Sequence, residues 1–335
     1  MLIWMSCVDK VNLSLPTSSL PLIIDGLVTD QPGPYTVKIS RAFSVDGSYH
    51  QIAGVALARV EISDNSGARD VLKETFPGTY VTDSLQGVIG RTYRLRVTTA
   101  GGLRFESAAE YMHPAGTVDS IYFQFKEGAN KDTQVAEEGF NIYINSTFAP
   151  GSNHNVRWKF NGTYKVTTNP ALVLVGEPPA PIACSEGCLC CTCWVSVSET
   201  APILANSTFL GSNVVTRVLV GYIPINQLTF NQRYRVEIVQ MEVSQEVFDF
   251  FTAVKGQVDH AASLFQPPFF KLKGNVNAVN NEEPVLGIFS TAATSQRVIY
   301  MDKLDIPHPF TLGEIAADCR AVAPRSTIFQ PSFWQ

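Results

Sequence analysis

The stretch FNQRYRVEIVQMEVSQEVFDFF, residues 230–251, decides the fold because its hydrophobic period changes halfway along. In its first half, Tyr234, Val236 and Ile238 alternate with charged side chains. A period of two is typical of a strand with one buried and one solvent-exposed face. The stretch therefore predicts a strand that leads directly into a different element.

The second half of the stretch has the period of a helix. Apolar side chains recur at helical spacing at Val247, Phe251, Val254 and Val258. Such a stripe lets a helix pack on a sheet. Ser244 is suited to the N-cap, and Gly256 weakens the final turn. We predict one amphipathic helix over residues 244–260, followed by an extended segment at Gln266-Pro267-Pro268, where proline cannot continue a helix.

Composition favours an all-β protein. Of the 335 residues, 20 are Pro and 23 are Gly, and charged residues make up 16%, a balance typical of short strands joined by many turns. The net charge is -5, and Lys and Arg form no cluster. The electrostatic footprint of a nucleic-acid partner is therefore missing, and no run of about 20 apolar residues predicts a membrane-spanning helix.

We predict three regions along the chain. Residues 1–19 form an apolar, lipobox-like start and a polar tether, residues 20–114 form a β-sandwich, and residues 115–335 form a larger β-rich domain with a cysteine cluster and the helix. The boundary falls at His113-Pro114-Ala115-Gly116, which interrupts the strand pattern. Within residues 20–114, short alternating runs separated by turn residues favour an immunoglobulin-like sandwich.

Several turn residues lie inside or between the alternating runs. Asp64-Asn65-Ser66-Gly67 predicts a turn between two strands, and Gly26 predicts a bulge or turn. In NVRWKFNGTYKV, residues 155–166, Asn161-Gly162 predicts a hairpin.

The cysteines lie at the chain start and in one cluster, ACSEGCLCCTCW, residues 183–194. If Cys7 carries lipid, the others are even in number and are candidates for disulfides in an oxidising compartment. These disulfide candidates are Cys184, Cys188, Cys190, Cys191, Cys193 and Cys319. A zinc site remains an alternative, since two C-x-x-C pairs overlap in the cluster, and partly free thiols are another. We predict no metal, because no second ligand pair follows at the usual distance and the 5 histidines are scattered.

The start MLIWMSC, residues 1–7, has the short apolar run, small residue and cysteine of a lipoprotein signal. The basic region and full apolar length of a signal peptide are absent from it. Either the start lies further upstream or the similarity is accidental.

Many segments together resemble one family of Bacteroidota outer-membrane lipoproteins, known as domain of unknown function 4249. The resemblance covers the chain from about residue 7 to its end. It rests on Cys7 and on LIIDGLVTD, FPGTYVTD with GRTYRLRV, VRWKFNGTYKV, Cys193-Trp194, RYRVEIVQMEVSQEVFDFF, SLFQPPFFKLKGNV, EEPVLGIFS, Asp318-Cys319-Arg320 and Pro331-Ser332-Phe333-Trp334.

The resemblance implies a lipid on Cys7 and an outer-membrane location, on either the periplasmic or the cell-surface face. It also implies an amino-terminal sandwich similar to carboxypeptidase regulatory-like domains. Members look like accessories of TonB-dependent transporters. We therefore expect a lipid-anchored accessory or ligand-capture partner of an outer-membrane β-barrel transporter. A structural or adhesive cell-surface protein is the alternative hypothesis.

An enzyme is not expected, since the chain has no G-x-S-x-G, H-E-x-x-H or P-loop motif, and no cofactor is predicted. Trp158, Trp194 and Trp334 are interpreted as core or interface residues rather than as ligand-stacking platforms. Phe269 and Phe270 are neighbours in an extended segment, where two adjacent side chains face opposite ways. At least one of them is a candidate contact surface.

Overall fold

A computed structural model describes residues 21–45, 49–128, 138–151, 154–172, 174–175, 180–181, 191–261, 272–280 and 282–334. It confirms an all-β fold with one long helix. The strands of the first region are β1 Leu22–Thr29, β2 Thr36–Val45, β3 Tyr49–Gly54, β4 Arg59–Asp64, β5 Arg69–Val71, β6 Lys73–Phe76, β7 Thr79–Val81, β8 Thr92–Thr98, β9 Arg104–Ser107 and β10 Glu110–Tyr111.

The rest of the described chain adds further strands and three α-helices. These strands are β11 Thr117–Lys126, β12 Gly139–Thr147, β13 Asn155–Thr167, β14 Leu174–Val175, β15 Ala180–Pro181, β16 Thr192–Ser198, β17 Ile203–Asn206, β18 Val214–Pro224, β19 Arg233–Val243, β20 Val276–Ala278, β21 Val285–Ala292 and β22 Thr294–Asp302. The helices are α1 Ser207–Leu210, α2 Gln245–Ala261 and α3 Cys319–Val322, with 3-10 turns at Pro170–Leu172 and Lys303–Asp305.

Two sheets enclose the core of the first region. One runs β21-β1-β2-β7-β6 with β3 beside β2, and the other runs β20-β9-β8-β4-β5 with β10 beside β8. The alternation along each strand sends one face inward, as Tyr93, Leu95 and Val97 of β8 show by their full burial. The turn predicted after Asp64 is confirmed, since Asp64 Oδ1 accepts from the Ser66 amide at 2.9 Å.

Two strands of this sandwich come from far along the chain. β21 pairs in parallel with β1 from Leu22↔Val285 to Thr29↔Ala292, and β20 pairs with β9. Their side chains enter the same core, because Val276 and Phe289 pack among residues of the first region. The division into regions 20–114 and 115–335 remains a prediction. The pairing of β20 and β21 with strands of the first region was not foreseen from the sequence.

Two further sheets share the second core. The sheet β11-β12-β18 faces the sheet β16-β13-β19-β22, in which β17 also pairs with β13. Trp158 and Phe230 are fully buried between them, and Trp194 and Trp334 are also buried, at 7% and 8% exposure. The interpretation of these three tryptophans as core or interface residues is confirmed.

The predicted strand and helix around residue 244 are both confirmed. β19 extends to Val243 and α2 spans Gln245–Ala261. Ser244 caps the helix, since its Oγ accepts from the Val247 amide at 3.3 Å. The apolar stripe docks mainly through its first half: Val247 is fully buried, whereas Val258 is 39% exposed.

Two glycine predictions are wrong, for the same reason. β13 is one continuous strand through Asn161 and Gly162 rather than a hairpin, and β1 is continuous through Gly26. Each glycine leaves room for an aromatic side chain: a Cβ on Gly162 would lie 2.3 Å from the Tyr234 hydroxyl, and one on Gly26 would lie 3.2 Å from the Phe289 ring. Close approach, and not a turn, therefore explains both residues.

Candidate binding face

The outer face of the sheet β11-β12-β18 carries aromatic, amide and cationic side chains together. Its inner face supplies the buried Phe140, Ile142 and Ile144, so strand alternation turns the intervening side chains outward. We call the outward group the tyrosine face. It consists of Tyr122, Gln124, Lys126, Asn141, Tyr143, Arg217 and Tyr222.

Strand register brings the members of the tyrosine face into two rows. Tyr122 of β11 lies opposite Tyr143 of β12, and Gln124 lies opposite Asn141, which in turn faces Tyr222 of β18. The rings of Tyr122 and Tyr143 stack, with centroids 5.7 Å apart and an interplanar angle of 22°. Such cross-strand aromatic pairs stabilise a sheet and form a flat surface.

Arg217 reaches the centre of the face because β18 is bulged. The register with β12 shifts between Ile144 and Ser146, where the backbone of Arg217 adopts a left-handed φ of 57°. The Arg217 amide donates to Asn145 Oδ1 at 2.9 Å, and its guanidinium donates to Gln124 Oε1 at 3.0 Å. The guanidinium carbon lies 5.1 Å from the centroid of the Tyr143 ring, a cation–π contact.

Tyr222 lies flat across the neighbouring strand. A Cβ at Gly139 would come within 2.6 Å of the Tyr222 ring and hydroxyl, so the glycine admits the ring. The Lys126 ammonium is 5.5 Å from the same ring centroid. Tyr222 remains 37% exposed.

A separate cleft of about 290 Å³ lies beside Thr167, at the C-terminal end of β13. Apolar and polar side chains both line it. Asn169 Nδ2 donates to Glu314 Oε2 at 3.2 Å, and the Thr167 amide donates to Asn231 Oδ1 at 2.8 Å. The cleft is open to solvent. The Thr167 hydrogen bond ties the end of β13 to the segment before β19, and the Asn169 hydrogen bond ties the residues after β13 to the C-terminal segment. We regard the cleft as a structural contact region.

A buried polar cluster lies between the first sandwich and β19 of the second core. Glu110 Oε1 accepts from Asn275 Nδ2 at 2.8 Å, and the Ser244 hydroxyl lies near the same carboxyl group. Burial is the largest cause that raises the pKa of Glu110 to about 7, and the Glu246 carboxylate acts in the same direction. Close by on β19, Glu242 Oε1 lies 2.6 Å from His154 Nδ1, and burial raises the pKa of Glu242 as well.

Most of the cysteine predictions lie outside the described residues, namely Cys7, Cys184, Cys188 and Cys190. Cys193 and Cys319 form a disulfide with Cα atoms 5.9 Å apart, and Cys191 is disulfide-bonded too. The zinc alternative therefore loses Cys191 and Cys193 as ligands. No group of three or more His, Cys, Asp or Glu side chains within the described part of the chain is arranged to hold a metal ion.

The predicted contact surface at Phe269 and Phe270 also lies outside the described residues. The tyrosine face was missed by the sequence analysis. Its only trace there is alternation in VDSIYFQF and GFNIYINSTF, which places tyrosines opposite the apolar side chains. Among the described helices, none combines the length and apolar character required to cross a membrane.

The fold and this face define an all-β protein that presents an outward-facing aromatic surface on one of its sheets. The chain belongs to the family described as domain of unknown function DUF4249, whose model matches residues 8–297. Comparison with curated proteins gives no match.

Proposed function

We propose that this chain is a non-enzymatic lipoprotein of the Bacteroidota outer membrane that acts as a ligand-capture accessory of a TonB-dependent transporter. The tyrosine face is the observation that carries the proposal. It gathers stacked rings, amides and two cations on an open sheet face, a combination suited to binding rather than to proton transfer or nucleophilic attack.

Two further features support a place in the cell envelope. The disulfide between Cys193 and Cys319 is typical of oxidising compartments. The start MLIWMSC offers Cys7 as the residue for a lipid anchor. The tyrosine face belongs to a different sheet from β1, the first strand after the proposed anchor and tether, so an anchor at Cys7 is compatible with a free face.

Co-purification tests the proposal. The full-length protein carries a C-terminal affinity tag in its native host, outer membranes are extracted in mild detergent, and co-eluting proteins are identified by mass spectrometry. A TonB-dependent barrel in near-equimolar amount is expected. A Cys7→Ala variant is expected to leave the membrane fraction, whereas Ser6→Ala, the neighbouring control, retains the lipid-bearing cysteine and stays in it.

The alternative, a structural or adhesive cell-surface protein, predicts a different result. The protein then elutes without a barrel, and deletion of its gene impairs attachment or envelope integrity while nutrient uptake is unchanged. That pair of outcomes would overturn the accessory role. The tyrosine face would then serve contact with a surface polymer.

A further inference from the structure

Resting on the proposed function, we propose that the tyrosine face binds an acidic oligosaccharide, a glycan whose sugar rings carry carboxylates, and that Arg217 binds the carboxylate. This names the chemical class of ligand for the face.

The charge of the tyrosine face is opposite to that of the whole chain. The chain has a net charge of -5, whereas the charged side chains beside the tyrosine rings are Arg217 and Lys126, both cations. Asp119, which accepts from Thr147 Oγ1 at 2.7 Å, lies at one end of the same sheet face. Neither cation makes a salt bridge within the described residues, where each instead lies over a tyrosine ring. The planar guanidinium fork matches a carboxylate bidentately, and the face therefore has charge complementary to an anionic ligand.

The backbone of Arg217 gives independent support. Its φ of 57° lies in the left-handed region that favours glycine. A residue held in such a conformation at a bulge often has its side chain re-aimed for a function. At this bulge the Arg217 backbone bonds Asn145, while its guanidinium extends over the Tyr143 ring to Gln124.

The remaining polar atoms favour a sugar over an acidic peptide. Among the described residues, Gln124 Nε2 and Asn141 Oδ1 make no hydrogen bond, so the face offers one amide donor and one amide acceptor beside Tyr222. Hydroxyl groups both donate and accept, and the C–H face of a sugar ring packs on an exposed aromatic ring. An open, flat surface also accommodates a chain of sugars in an extended conformation.

Titration calorimetry on the full-length protein tests the inference with tetragalacturonate and tetramannuronate as probes. Binding of at least one probe below about 1 mM is expected, and it should weaken as NaCl is raised, since exposed charges are screened. The fully methyl-esterified tetramer keeps the sugar rings and loses the charge. It should bind at least about tenfold more weakly.

Arg217→Gly separates binding from folding. Glycine suits the left-handed backbone, so this variant should unfold at the same or a higher temperature while it binds the acidic probe at least about tenfold more weakly. Arg325→Gly is the matched control: Arg325 is exposed, has a φ of 68°, and lies in the C-terminal segment whose Thr327 pairs with Trp194 of the other sheet. It should bind as the wild type does.

Three results would overturn the inference: no binding of either acidic tetramer at about 1 mM, equal loss in Arg217→Gly and Arg325→Gly, or equally tight binding of tetra-aspartate, which has charge but no sugar. If neither acidic tetramer binds but a barrel co-purifies, the ligand class is rejected and the accessory role stands. Acidic-glycan binding without a barrel would reject the accessory role alone.

Discussion

Gly162 illustrates how one missing side chain determines the packing of the second core. The Tyr234 ring lies over it, only 2% exposed, and stacks on Tyr164 with centroids 5.4 Å apart. Because Tyr234 is held on both sides, Gly162→Ala should overpack the core and lower the free energy of unfolding by about 1–3 kcal/mol. Urea denaturation followed by fluorescence measures this change.

The control for Gly162 is Gly101→Ala. The nearest heavy atom to a Cβ on Gly101 is Thr99 Oγ1, 3.9 Å away, and the change should stay within about 0.5 kcal/mol of the wild type. Equal stability losses at the two positions would show that propensity, and not the Tyr234 contact, explains the effect.

Glu110 makes stability depend on pH. Its carboxyl pKa is raised from 4.5 to about 7 in the fold, so the folded state favours the protonated form. Its stabilising contribution is fully present below about pH 4.5 and is lost as pH rises through 7. Glu110→Gln, which stays neutral, should remove this dependence and make the protein more stable than the wild type at pH 8, by an amount on the order of 2–3 kcal/mol.

Thermal unfolding of both proteins between pH 4.5 and pH 8 checks the prediction for Glu110. Glu106→Gln is the contrasting variant, because Arg94 lowers the pKa of that half-buried carboxyl. It should not flatten the curve over this range. Parallel curves for wild type and Glu110→Gln would contradict the assigned role.

At the scale of single elements, α2 docks through one end of its apolar stripe. Val247 is fully buried with Ile288 and Ala292 of β21, whereas Val258 is 39% exposed near the other end. Val247→Ala should lower the free energy of unfolding by about 1–3 kcal/mol, and the same substitution at Val258 should change it by less than about 0.5 kcal/mol. Chemical denaturation of the two variants compares them directly.

The elements also show how far the sequence alone leads. The helix was predicted at 244–260 and lies at Gln245–Ala261, because its period and cap are local properties. The hairpin at Asn161-Gly162 failed because β13 pairs along ten successive positions with β19, from Asn155↔Val243 to Tyr164↔Tyr234. Long-range pairing on both edges outweighs a local turn preference.

The tyrosine face lay beyond sequence reasoning for a similar reason. The alternation that turns Tyr122 and Tyr143 outward is visible in the chain, but nothing local places β18 beside β12. The contact of Arg217 with Gln124 joins residues 93 positions apart and depends on a bulge. A left-handed arginine has no sequence signature of its own.

At the scale of the whole molecule, the first sandwich depends on β20 and β21, which come from late in the chain. Val276, Phe289 and Ala293 belong to its core, and β21 covers the edge of β1. A fragment of residues 21–116 should therefore lack a cooperative unfolding transition by circular dichroism. A fusion of residues 21–116 to 272–293 through a flexible linker should regain one, and a cooperative transition in the shorter fragment would contradict this dependence.

The parallel pairing of β1 with β21 also imposes a delay between the synthesis of the two strands. Ser290 Oγ donates to the Gly26 carbonyl across 264 residues of chain. At synthesis rates of about 5–20 residues per second, the last neighbour of the first strand is made roughly 15–50 s after that strand. Throughout that interval β1 has one bare edge. An unpaired strand edge can pair with another chain, so this edge is a site for aggregation until β21 has been made.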